Sequence, residues 1–256
     1  MPTACMLVST ARLVFDRSKN MFSDPDPPHP ILVIDTASPT TAVGLSGLND
    51  IWSWHVDDRA SDITLFQGVD RLLKERGISL GRIRTLVYCE GPGSMLGIRT
   101  AVMAIRTWIS SGVLRNATLT AYSSLGLAAA GIQQSKSKGK VTIAIDARRQ
   151  SWYCLTTDPV DPNPPRIKRV NHREIDRLPG PVYLPDKFPI WNPCPESWMD
   201  LPYDPLFLES PKNRRMLLRS VDRPEAYQLD PPSYQRWTPM ISRSHDRSPR
   251  SEDATP

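Results

Sequence analysis

The chain has 256 residues, four cysteines, four histidines, 26 prolines and a formal net charge of +5, enough length for one large domain or two lobes that need no covalent staple. Cys5, Cys89, Cys154 and Cys194 show neither C-x-x-C nor framework spacing, and His29, His55, His172 and His245 show no H-x-x-x-H or H-E-x-x-H, which argues against disulfide scaffolds and zinc sites and for a reducing, cytoplasmic setting. No apolar run approaches the roughly 20 residues that span a bilayer, and the modest positive charge gives weak attraction to RNA without a nucleic-acid-binding signature.

Residues 1–29 lack periodicity and end in Asp24-Pro25-Asp26-Pro27-Pro28, so they are expected to be a disordered extension, with Met21 as the functional start. Ile31 to Thr36 is a buried-strand pattern ending in an acid; Thr41 to Ser46 and Ile51 to Val56 extend it as a meander. A helix follows from about Asp62 to Arg76, with Ser61 as N-cap, Gly77 as stop, and Leu65, Val69, Leu72 and Leu73 on one face. Thr85 to Cys89 is a short strand running into Glu90-Gly91-Pro92-Gly93-Ser94, and a second helix carries Ile98, Val102, Ile105 and Ile109 with the small Ala101 and Ala104 among them. One more strand and helix, Ala117–Ala121 and Ser123–Ala130, complete a β-β-β-α-β-α-β-α lobe over 30–133.

Beyond a Lys/Gly/Ser linker, Val141 to Asp146 repeats the opening motif, an apolar strand ending in aspartate. Nineteen of the 26 prolines lie past residue 150, which disfavours long helices and predicts a smaller, irregular second lobe over 141–240 before a disordered Arg/Ser tail at 241–256. The fold class expected is α/β, two-lobed, with a reduced second lobe.

The turn Gly91-Pro92-Gly93-Ser94 between strand and helix exposes backbone N–H groups at a positive helix end. Its G-x-G-x-x-x-G spacing is one residue longer than the dinucleotide fingerprint and has no Gly-Lys-Ser/Thr, which leaves a structural turn and a phosphate cradle both open. Asp35 and Asp146 close matching strands. Nucleotide phosphotransferases of two-lobed folds keep carboxylates at such places, whereas elsewhere such an acid merely caps a turn like Asp35-Thr36-Ala37-Ser38. No G-x-S-x-G elbow occurs and Ser94 has no identifiable His partner, so a hydrolase has little support.

Three segments, ILVIDTAS at 31–38, EGPGSMLGIRTAV at 90–102 and AIDARRQSWY at 144–153, together resemble the TsaB (YeaZ-like) family over about residues 31–155. The most specific match is G-P-G-S-x-x-G-x-R, with Gly91, Pro92, Gly93, Ser94, Gly97 and Arg99 in place; Met95 and Leu96 stand where that family usually has an aromatic residue and a threonine. The helix that family often opens with histidine opens here with Ser61-Asp62, and its C-terminal P-x-Y-L-R appears only as Pro232-Ser233-Tyr234-Gln235-Arg236.

The resemblance implies an actin-like/ASKHA (ribonuclease H-like) fold whose nucleotide cleft is degraded, leaving Asp35, Thr36 and Asp146 as a vestigial phosphate site. It implies a non-catalytic subunit that binds a TsaD-like paralogue and supports formation of N6-threonylcarbamoyladenosine at position 37 of tRNAs. The subunit would self-associate when alone, meet a TsaE-like ATPase, and touch tRNA indirectly and membranes not at all. It would carry no cofactor or metal of its own, with ATP or ADP at the partner interface. The implied interface is the two first-lobe helices, represented by Leu65, Val69, Leu72, Ile98, Ala101, Val102, Ala104, Ile105 and Trp108. The rival is a small sugar or carboxylate kinase using Asp35 and Asp146 with Mg-ATP; a peptidase is a third and weaker option.

Overall fold

Two runs of the same character, ILVID and VTIAID, each found a sheet, because an unbroken apolar strand of five or six residues must be covered on both faces. The structure is a computed structural model, and it describes residues 26–59, 61–134, 139–158 and 165–229. In the first sheet β1 (Ile31–Asp35) is flanked by the antiparallel β2 (Thr41–Ser46), itself paired with β3 (Trp52–Asp57). On its other side lie the parallel β4 (Thr85–Gly91) and β5 (Thr118–Ser123). Helix α1 (Ser61–Arg76) connects β3 to β4, and α2 (Met95–Ser110) connects β4 to β5.

The second sheet has the same order. Strand β6 (Val141–Asp146) pairs antiparallel with β7 (Ser151–Thr157), which pairs antiparallel with β8 (Ile167–Asn171). On the other side β6 takes the parallel β9 (Val182–Pro185), which takes the parallel β10 (Met199–Leu201). The order β3-β2-β1-β4-β5 is thus repeated as β8-β7-β6-β9-β10. Proline decides how the copies differ: a 3-10 turn at His172–Arg177 and an irregular stretch replace the two connecting helices. The strands themselves are regular, more so than the sequence led one to expect, since Pro179 and Pro181 precede β9 and Pro185 ends it. Helix α3 (Ser124–Gln134) lies between the sheets and contacts β4 and β5 on one side and β6, β7 and β10 on the other. Buried Leu125, Leu127, Ala128, Ala129 and Ala130 let it face both.

The ordered fold begins before residue 30, a correction to the extension expected over 1–29. Thr85 Oγ1 donates to the Pro28 carbonyl at 2.7 Å, His29 Nδ1 lies 2.7 Å from Ser46 Oγ, and Asp26 takes two bonds from Arg214. The chain also leaves the second sheet early: after α4 (Pro211–Leu217), β11 (Arg219–Ser220) pairs with β5 and joins the first sheet. Beyond it the backbone of Glu225 bonds the Tyr88 hydroxyl and Tyr227 N–H donates to the Glu90 carbonyl. The expectations for Met21, Pro232–Arg236 and the 241–256 tail lie outside the described residues.

Candidate functional site

In a two-lobed fold the natural place for chemistry is the cleft where the founding strands end, and here both end in buried carboxylates. Asp35 is 1% exposed. Its Oδ1 accepts from Ala37 N–H at 2.9 Å, closing the turn after β1, and its Oδ2 accepts from the hydroxyls of Tyr122 at 2.5 Å and Tyr203 at 2.6 Å. Tyr203 arrives from beyond β10 and meets Phe188 edge-on at 4.9 Å, so its ring occupies the space between the lobes. Burial raises the Asp35 pKa although the hydroxyls oppose it, and burial beside Asp35 pushes both tyrosines and Cys89 well above their usual range.

Asp146 is equally committed. Its Oδ1 accepts from Arg148 N–H and the Asn192 side-chain amide at 2.6 and 2.9 Å; its Oδ2 accepts from Trp191 and Asn192 N–H at 2.8 and 2.6 Å. A carboxylate has about four lone-pair sites, and these are filled by the chain. Asp35, with three bonds from the chain, and Asp146, with four, both act as the turn anchors that the sequence left open as an alternative. Thr36 Oγ1 is buried without a partner.

Replacing Asp35 with asparagine keeps an oxygen for the tyrosines and removes the ionisable group. The folded pKa lies above the ordinary carboxyl value, so the stability this carboxyl contributes is full below about pH 4 and is lost as pH rises through the folded value. Urea unfolding is expected to show Asp35→Asn at its greatest disadvantage to wild type near pH 4, with the gap narrowing toward neutral pH. A gap independent of pH would refute this.

The glycine loop is bolted to the turn it faces rather than opened toward a ligand. Ser94 N–H donates to the Ala37 carbonyl at 2.6 Å and Ser124 Oγ to the Pro92 carbonyl at 2.5 Å. A Cβ on Gly93 would collide with the Ala37 carbonyl oxygen, and one on Gly97 with that of Thr36. Ser94 N-caps α2, its Oγ accepting from Gly97 N–H at 3.3 Å. Gly93 and Gly97 are thus explained by close backbone approach, and the Ser94 and Gly97 N–H groups are spent on fixing the angle at which α2 leaves the sheet.

That angle sets α2 beside α1. The structure buries Leu65, Val69, Leu72, Ile98, Ala101, Val102, Ala104 and Ile105 against the chain's own core. This corrects most of the interface expected from the helical stripes, since side chains covered by the chain's own core have little surface to give a partner; of the residues expected there, only Ala104 and Trp108 reach the groove between the helices. The outward flanks carry other residues. Phe66 is 48% exposed and meets the half-buried Trp108 edge-on at 6.2 Å; Met103 and Leu96 are 57% and 78% exposed.

Phe66, Met103 and Trp108 line a groove between the helices with Arg99 at its side and Ala104 at its floor. Thr100 and Thr107 line it too, but their hydroxyls donate back to the Leu96 and Met103 carbonyls at 3.0 and 2.9 Å, which lowers the polarity of the wall. Residues 96, 99, 103 and 107 follow one another at three- and four-residue steps, a second stripe beside the core stripe and a signal present in the sequence.

Asp26, His29 and Asp50 also come within ligating reach of one another. Arg214 already fills that role, bonding Asp26 at 2.6 and 2.9 Å and Asp50 at 3.1 Å. Burial alone would raise the Asp26 pKa, but these bonds outweigh it and the net shift is downward.

Two sheets of one strand order, with a helix between them and an acid closing each founding strand, define the actin-like, ribonuclease H-like class of two-lobed α/β folds, here with a reduced second lobe. No protein-family model matches the chain, and no curated protein matches it. Among solved structures it is similar to YeaZ from Pseudomonas aeruginosa at 20% identity, covering 60% of this chain and 74% of that one with a TM-score of 0.48. It is also similar to the Aquifex aeolicus member of the Ppx/GppA family, at 11% identity over 60% of this chain and 65% of that one, TM-score 0.32. An exopolyphosphatase from Cytophaga hutchinsonii follows at 13% identity over 58% and 53%, TM-score 0.31. Among the described residues no helix is long and apolar enough to cross a membrane.

Proposed function

We propose that this chain is a non-catalytic docking subunit of the TsaB kind. Its α1–α2 groove receives a TsaD-like paralogue, and the pair supports threonylcarbamoyl transfer to adenosine 37 of tRNAs in the cytoplasm. The observation that carries this is a contrast: both cleft carboxylates are consumed by the chain's own donors, while the two first-lobe helices leave an aromatic and methionine-lined groove open. Chemistry belongs to the partner, and ATP or ADP, where it takes part, binds at the shared interface. A TsaE-like ATPase joins the pair, tRNA is reached through the assembly, and the same groove pairs two copies of this chain when the partner is absent.

Co-purification with a TsaD-like protein, followed by calorimetry of the isolated chain with Mg-ATP, tests the proposal against the kinase alternative. A complex together with no measurable heat from Mg-ATP is the expected result. A folded chain that forms no complex, or that binds Mg-ATP alone at micromolar concentration, would overturn it.

A further inference from the structure

The turn between β6 and β7 holds a conformation its residues do not favour. Arg148, Arg149 and Gln150 have φ of 59°, 47° and 55°, three successive non-glycine residues in the left-handed region that L side chains rarely enter. The surroundings enforce it. Asp146 Oδ1 accepts from Arg148 N–H at 2.6 Å, Asn192 Oδ1 from Gln150 N–H at 3.1 Å, and the Gln150 carbonyl from His172 N–H at 2.7 Å. The same Asp146 carboxylate takes the N–H groups of Trp191 and Asn192. One buried acid thereby clamps two separate segments together, and the Arg148 guanidinium comes to lie over the Trp191 ring, 4.1 Å from its centroid.

Core packing does not account for this arrangement, because Trp191 is 53% exposed and both arginines are exposed. Among the described residues, no salt bridge pairs Arg148 or Arg149 with an acid. Over-determined backbone strain concentrates where a side chain must be held in place for binding. What is held here is a planar, half-exposed indole carrying a cation, with a second cation next to it in the chain.

We propose that Arg148, Arg149 and Trp191 form a binding point for single-stranded nucleic acid, in which an unpaired base stacks on the Arg148–Trp191 pair and an adjoining phosphate meets Arg149. Stacking of bases on indole and guanidinium faces, with arginines on the backbone, is how unstructured strands are held without sequence readout. An acidic peptide would engage the guanidinium fork edge-on and make no use of the ring. The net charge of +5 raises the local concentration of any polyanion. The inference does not rest on the docking function, since the turn belongs to the second sheet and the groove to the helices of the first.

The test is fluorescence anisotropy of the full chain with a labelled, unstructured oligoribonucleotide of about 12 nucleotides. Trp191→Ala is expected to weaken binding about tenfold or more. Arg149→Gln should lower the slope of log K against log salt by about 0.7, the value for one phosphate of a single strand. Both positions are exposed, so thermal midpoints should stay at the wild-type value, and Lys74→Ala on α1 serves as the distant control. Wild-type affinity in Trp191→Ala, or no binding by the wild type, would overturn the proposal. Displacement of the strand by an equal concentration of AMP would overturn it too, because the site would then be one for a mononucleotide.

Discussion

Replacing Arg214 with methionine is expected to cost about 3 kcal/mol of folding stability and to lower the thermal midpoint by about 6–12 °C. The side chain is fully buried, and its guanidinium is the common partner of groups from three distant parts of the chain. It bonds the Asp26 carboxylate twice, the Asp50 carboxylate once, and the Leu208 and Glu209 carbonyls at 3.0 and 2.7 Å. Methionine matches the stem in volume but leaves two carboxylates facing each other and two carbonyls without donors. The acids are 27% and 36% exposed, so water screens part of the loss and the lower end of the range for breaking buried ion pairs applies.

The pH dependence has a definite sign. Against the effect of burial, the Arg214 guanidinium holds the Asp26 pKa below the ordinary carboxyl value, so the stability this carboxylate contributes is present above about pH 4 and is lost as pH falls through the folded value. The gap between wild type and Arg214→Met should be widest near neutral pH and should shrink in acid, as measured by urea unfolding across that range. An equal gap at pH 7 and pH 3 would place the loss in packing alone.

Nothing local in the sequence announces Arg214. It sits in α4, seven residues long in a proline-rich stretch, and its acidic partners lie 188 and 164 residues away. Tyr203 and Asn192 are hidden for the same reason: each completes a carboxylate that is visible at a strand end, from 168 and 46 residues off. What was legible is what periodicity and turn chemistry encode within a few residues. The two founding strands and the α2 stripe follow from unbroken apolar runs and three- and four-residue spacing, whereas the cap on α2 is Ser94, a role that the structure adds. What covers the α1 and α2 stripes is not legible, because an apolar stripe says that a face is buried and is silent on what buries it. Leu65 and Ile105 answered to the chain's own sheet, and the surface left for a partner falls to Phe66 and Met103, one flank over.

That displacement changes which substitution tests docking. Ala104→Glu, the choice the sequence invites, is compromised because Ala104 is 6% exposed; a carboxylate there would unsettle α2 whether or not a partner exists. Met103 is 57% exposed and lies one turn beyond Arg99 on the groove wall. Lysine has nearly the helix propensity of methionine, so Met103→Lys should leave the isolated chain within about 0.5 kcal/mol of wild type. In a complex it would bury a second cation beside Arg99 where an apolar anchor had been. The expected loss is about 2–3 kcal/mol, a weakening of roughly 30- to 150-fold in the dissociation constant for a TsaD-like partner. Lys74→Ala, which removes only an exposed pair with Asp70 on the solvent side of α1, should change affinity by less than about twofold. If Met103→Lys binds as tightly as Lys74→Ala, the partner does not sit on this groove, and the exposed Phe66, Met103 and Leu96 need another explanation.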